Sequence, residues 1–160
     1  MNRRDRLHHQ PIINRPKLFL KNNKKIILWV IVNIEVWDPD LPQPRNILPP
    51  PMNVPMLPDL PNWSWHEYGM RVGFWRMFKA LKDRGIPSTL ALNATVVDHY
   101  PETVEKAMKE NWEPIGHGYI QRPMHKVENQ FVDIKSAIKK IEDFTKQEVI
   151  GWESPGLTET

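Results

Sequence analysis

Five polar residues follow short apolar runs closely enough to share one reaction: Asn33, Glu35, Asn93, His117 and Glu153. A glutamate serves as general base on water when burial raises its pKa toward neutrality. An imidazole can stabilise an oxyanion or move a proton, and an asparagine amide can assist as a donor. Together these residue types could accept, donate and move protons at a shared site. A purely structural reading stands beside it, because every strand must end in something polar.

Gly116 and Gly118 flank His117, and glycines there would let the backbone turn tightly and a ligand approach the ring. His125 lies eight residues further on, too far for one helical face, so the two histidines are not a compact metal-ligand motif by spacing. His66, beside Trp63 and Trp65, reads as a packing residue, and His8 and His9 fall in the N-terminal stretch. Of the seven tryptophans, Trp37, Trp63, Trp65 and Trp152 fall in or beside strand-end segments. They could line a carbohydrate pocket or pack a loop onto the rim. Trp29 and Trp75 are expected in the core.

The elements that must position these groups follow from periodicity. The run Ile26 to Ile34 is apolar on both alternating faces and rich in β-branched residues, which predicts a strand covered on both sides. A proline-dominated stretch from Asp38 to Pro61 permits neither helix nor central strand. A helix is predicted over about 67–84, with Phe74, Met77, Phe78 and Leu81 on one stripe and Gly85 then Pro87 as the stop. A strand at 88–92 and a helix from Pro101 to near Asn111 come next. A weaker strand at 112–115 precedes a helix over about 128–146, with Phe131, Ile134, Ile138 and Ile141 at helical spacing. Val149 to Trp152 reads as a fourth strand. Strands alternating with amphipathic helices imply a parallel sheet with right-handed crossovers. In such folds ligands sit beyond the carboxyl ends of the strands, where the five polar residues fall.

Bulk properties narrow the classes. A chain of 160 residues with 40% hydrophobic and 26% charged residues is an ordinary globular composition for one domain. The absence of cysteine excludes disulfides, thiolate metal sites and a thiol nucleophile, and fits a reducing compartment. The net charge of +3 is modest, and much of it sits in residues 1–23, expected to be a basic extended arm. No aromatics interleave with those charges before Phe19, so no nucleic-acid partner is expected. The nine-residue apolar run is too short for a bilayer and lacks a small-residue cleavage site, so a cytoplasmic location and no membrane partner are expected.

Several motifs together resemble the polysaccharide deacetylase superfamily (the NodB-homology domain). They are Asn33-Ile34-Glu35, the run Pro61 to Gly73, Gly85-Ile86-Pro87, Ala91-Leu92-Asn93, Gly116-His117-Gly118-Tyr119, and Gly151-Trp152 with Ser154 to Thr160. The branch resembled contains metal-independent allantoinases. The resemblance runs from about Lys25 onward and implies an α/β fold, a distorted parallel (β/α) barrel. Three and a half units cannot close a barrel, so residues 24–160, with a Pro-rich loop at 38–62, are expected to form about the first half of such a domain and to be inactive alone.

The resemblance also implies roles. Family members carry two adjacent aspartates after strand one, a base and a metal ligand, and here Glu35 and Val36 stand there. Two family metal-binding histidines spaced by four correspond to His117 and Gln121, and the family arginine after strand four corresponds to Glu153. Two of three ligand positions for zinc or another divalent metal are therefore absent, no cofactor is expected, and His117 with His125 is the one remaining metal pairing. Glu35 and His117 are the expected catalytic pair, with Asn33, Asn93, Trp37, Trp63, Trp65, Tyr119, Trp152 and Glu153 binding substrate. The expected function is hydrolysis of non-peptide C–N bonds in a small-molecule or oligosaccharide substrate, deacetylase- or allantoinase-like. The alternatives are a catalytically inactive carbohydrate- or ureide-binding module and a non-functional fragment; a homo-oligomer is compatible with either.

Overall fold

A computed structural model describes residues 8–41, 43 and 47–157. Three strands form one parallel sheet in the order β1 (Ile31–Ile34), β2 (Thr89–Leu92), β3 (Glu113–Gly116). Their register aligns Ile34 with Leu92 and Leu92 with Gly116, and Gly116 makes a single parallel bridge to Trp152. The sheet is not closed; it is an incomplete α/β arrangement with helices between consecutive strands.

The helices are α1 (Leu60–Tyr68), α2 (Phe74–Asp83), α3 (Val96–His99), α4 (Pro101–Lys109) and α5 (Gln130–Thr145). Asp59 caps α1 by accepting from the Asn62 amide at 3.2 Å, and Asn129 caps α5 from Val132 at 3.1 Å. A π-helical turn, Gly69–Gly73, joins α1 to α2 and buries Met70. Phe74 stacks with Phe78 at 5.7 Å between ring centroids, and Trp112 packs edgewise on Phe74 at 6.3 Å. With Val32, Ile34, Leu90, Leu92 and Ile141 these side chains fill the core between sheet and helices. Every residue of β2 is buried, as expected for a central parallel strand.

Several expectations need correction. The first strand spans Ile31–Ile34 rather than the whole run, and Ile26 is 83% exposed. Trp29 is 64% exposed, not core, and donates through its indole N–H to Thr89 Oγ1 at 2.8 Å. The helix expected over 67–84 begins at Leu60, because Asp59 supplies the cap that the tryptophan-rich run obscures. Phe131, placed by periodicity on the buried stripe of α5, is exposed in the first turn, while Ala137 and Ile141 are the buried residues. The fourth strand reduces to the bridge at Trp152, since only Gly116 offers it paired backbone groups. The part of the basic arm at 1–7 lies outside the described residues; the rest carries two short 3-10 turns, Ile12–Asn14 and Lys21–Asn23. Among the described residues, no helix is long and apolar enough to cross a membrane.

Candidate functional site at the carboxyl ends of the strands

The row Ile34, Leu92, Gly116 and Trp152 is in register, so Glu35, Asn93, His117 and Glu153 each stand one residue beyond it. Backbone bonds continue past the strands and hold this second row: the His117 amide donates to Leu92 at 2.9 Å and the Glu153 amide to Gly116 at 2.9 Å. Close packing of Trp152 on Gly116 fixes the last segment, because an added Cβ at Gly116 would come within 2.6 Å of the indole.

His117 is 2% exposed, and both of its ring nitrogens are engaged. Nδ1 lies 2.7 Å from the Glu153 carbonyl oxygen, which can only accept, so Nδ1 carries a proton. Nε2 lies 3.1 Å from Glu35 Oε1. Burial pulls the His117 pKa down, but hydrogen bonds to Glu35 and to the Glu153 carbonyl outweigh it, and the net shift is upward. Glu35 is held from its other side by the Trp37 indole N–H, which donates to Oε2 at 3.0 Å.

Asn93 is fully buried and ties the strand ends together. Its Oδ1 accepts from the Val36 amide at 3.0 Å, while its Nδ2 donates to the His117 carbonyl and to Gln121 Oε1, the latter at 2.9 Å. Asn33 Nδ2 donates to Glu153 Oε1 at 3.2 Å. A cavity of about 500 Å³ opens over this row, walled by Asn33, Glu35, Trp37, Trp65, His117 and Glu153 among others.

The structure thus brings together most, but not all, of the residues singled out from sequence. Trp63 stands outside the cavity and supports it, donating its indole N–H to the Trp37 carbonyl at 3.1 Å. Trp152 packs on Gly116 and donates to Ser154 Oγ at 3.3 Å. Tyr119 turns toward α5, where Lys140 Nζ sits 5.8 Å from its ring centroid and Asp133 accepts from its amide at 3.2 Å. Asn93 acts from beneath the site rather than in its wall.

His66 is the residue that sequence reasoning missed. Rather than packing inertly, it stacks on Trp37 at 4.8 Å and lines the same cavity, with its Nε2 buried and unpartnered. Burial lowers its pKa, with the Glu35 charge opposing. Trp65 meets the imidazole edgewise at 6.4 Å.

The residues present do not fit the divalent metal of typical deacetylases. His117 has both nitrogens bonded within the protein, Gln121 is tied to Asn93, and Val36 offers no donor. His125 is exposed in the turn Met124–Lys126, and no group of three potential ligands occurs among the described residues.

Comparison with solved structures finds the same incomplete parallel α/β arrangement within the (β/α) barrels of proteins described as a polysaccharide deacetylase and an allantoinase. The fold matches a probable polysaccharide deacetylase from Pseudomonas aeruginosa PAO1 at a TM-score of 0.56 and 27% identity, over 62% of this chain and 33% of that one. It matches the allantoinase PuuE at a TM-score of 0.58 and 26% identity, over 62% and 33% of the two chains. A CE4-family pseudoenzyme from Bacillus anthracis shares the fold alone, at a TM-score of 0.55 and 16% identity, over 82% of this chain and 36% of that one. The resemblance read from the motifs therefore holds in three dimensions, and the chain spans about a third of the length of these structures. No family model matches the sequence, and no curated protein does.

Proposed function

We propose that this chain carries the catalytic half-site of a hydrolase acting on non-peptide C–N bonds, deacetylase- or allantoinase-like in its chemistry. The observation that supports the reading best is the Glu35–His117 contact at 3.1 Å, with the far imidazole nitrogen protonated against the Glu153 carbonyl. Glu35 takes a proton from water as its oxygen bonds to the carbonyl carbon. His117, protonated on both nitrogens, stabilises the oxyanion of the tetrahedral adduct. As the C–N bond breaks, its Nε2 proton passes to the departing nitrogen, and the Glu153 carbonyl keeps the ring in the orientation that allows this. The substrate is a small amide, ureide or acetylated sugar.

The test is release of amine from N-acetyl and ureide substrates, compared with Glu35→Gln. Turnover that falls by about 10²–10⁴-fold supports the general-base role. Unchanged turnover in that variant overturns it.

A binding module without catalysis is the second reading, favoured by Val36 and Gln121 at two positions where typical members place metal ligands. It expects Glu35→Gln to retain ligand affinity with no turnover in either protein.

A further inference from the structure

Two residues that line the cavity each carry a polar side-chain atom with no hydrogen-bond partner among the described residues. These atoms are Glu153 Oε2 and His66 Nε2, both buried. A buried polar atom without a hydrogen bond costs free energy comparable to the loss of that bond, so such atoms in a cavity wall mark what a ligand must supply. A carboxylate oxygen can be satisfied by a donor alone. Glu153 Oε1 is already occupied by Asn33 and its carbonyl by His117, so Oε2 is its one free acceptor among the described residues.

The charge balance points the same way. Two carboxylates, Glu35 and Glu153, line the cavity, and among the described residues no lysine or arginine does. Even with His117 protonated, the described lining residues retain one formal negative charge in excess. Two indoles, Trp37 and Trp65, complete the wall, and indole rings attract cations through their quadrupole. Burial lowers the His66 pKa against the opposing Glu35 charge, which disfavours a second cation in the wall.

Resting on the hydrolase reading above, we infer that Glu153 is a specificity-determining residue that selects an amide substrate carrying a protonated amine a few bonds from the scissile group. The ammonium donates to Glu153 Oε2, and His66 Nε2 takes a further N–H of the same ligand. Anionic substrates are rejected by the uncompensated carboxylates.

The experiment uses the full chain and three near-isosteric probes: N-acetylputrescine, cationic; N-pentylacetamide, neutral; and N-acetyl-4-aminobutyrate, anionic. Binding is measured by calorimetry at low salt, and amine release in parallel. The cationic probe should bind at least about tenfold more tightly than the neutral one, equivalent to about 1.4 kcal/mol, and the anionic probe should bind weakest. Glu153→Gln should bring the cationic and neutral probes within about twofold of each other. Equal affinities in the unsubstituted protein, preference for the anion, or no binding of any probe overturns the inference. Should Glu153→Gln fail to fold, the ranking in the unsubstituted protein decides alone. A correct ranking with a His117 titration unmoved by Glu35→Gln leaves the selection standing and removes the hydrolase reading; a moved titration without the ranking does the reverse.

Discussion

Glu35 Oε1 and His117 Nε2 lie 3.1 Å apart across 82 positions of sequence, joined through strand register rather than through any local motif. The pairing raises the His117 pKa above its ordinary value of 6.5, although burial, the largest single influence, acts in the opposite direction. Replacing Glu35 by Gln removes the charge and leaves the burial. The His117 titration, followed by imidazole NMR shifts, should then move downward, while the Glu153 carbonyl and charge continue to hold it up against burial. A titration unmoved by Glu35→Gln would show that the two groups do not meet.

The same shift carries a stability consequence with a definite sign. A histidine whose folded pKa exceeds its unfolded value binds its proton more tightly when folded. That stabilisation is full below the unfolded value of 6.5 and is lost as pH rises through the higher folded value. Thermal unfolding should therefore show Tm falling with pH across that window. In His117→Gln the fall attributable to this group should be absent.

Asn93 offers a prediction about architecture rather than chemistry. Its amide serves the Val36 N–H, the His117 carbonyl and Gln121 at once, in a fully buried position. Asn93→Leu keeps the volume and strands those groups, at about 1–3 kcal/mol for each left unsatisfied. Chemical denaturation should register the loss. The gap between Glu35 and His117 should widen with it, so ligand affinity falls too.

How much of this was legible in the sequence depends on which physical rule was encoded locally. The positions of Glu35, Asn93, His117 and Glu153 were readable because a parallel sheet delivers its strand ends to one edge, and each apolar run announces its own end. The extent of β1 was not readable. Ile26 to Val30 have strand composition, but a strand is defined by its paired backbone, and β2 offers partners only to Ile31–Ile34 in the ladder. His66 was missed for a different reason. Its place in the cavity depends on the proline-rich loop returning Trp37 against α1, fixed by the Trp63 bond to the Trp37 carbonyl at 3.1 Å. No periodicity encodes that return. Phe131 misled because helical spacing identifies a stripe but not where the neighbouring layer stops.

Gly118 should prove as sensitive as the residues it adjoins. Its φ of +83° lies in the region that side-chain-bearing residues rarely adopt, and an added Cβ would meet Pro155 Cγ at 2.7 Å. Gly118→Ala should cost about 1–3 kcal/mol through strain. Because Pro155 lies two residues past Glu153, the displacement should also disturb the carbonyl that orients His117. Ligand affinity would then fall more than in a control substitution of equal destabilisation elsewhere, such as Ile141→Val in the core. Equal affinity in the two variants would show that Gly118 serves the fold alone.

The final prediction concerns metal. A zinc ion needs about four donors, three of them from protein in a catalytic site. Here the His117 nitrogens are committed at 2.7 Å to the Glu153 carbonyl and at 3.1 Å to Glu35. Position 36 is valine, and Gln121 donates no charge while bonded to Asn93 at 2.9 Å. Capturing His117 for a metal would break the contact on which proton transfer depends and would leave Glu35 with the Trp37 indole as its remaining partner. Prolonged treatment with a strong chelator should therefore leave turnover and ligand binding within about twofold of the untreated protein, a change of about 0.4 kcal/mol or less. Addition of zinc should not raise either. Complete loss of turnover on chelation, restored by zinc, would instead require His117 to leave Glu35, and the acid–base pairing would have to be abandoned with it.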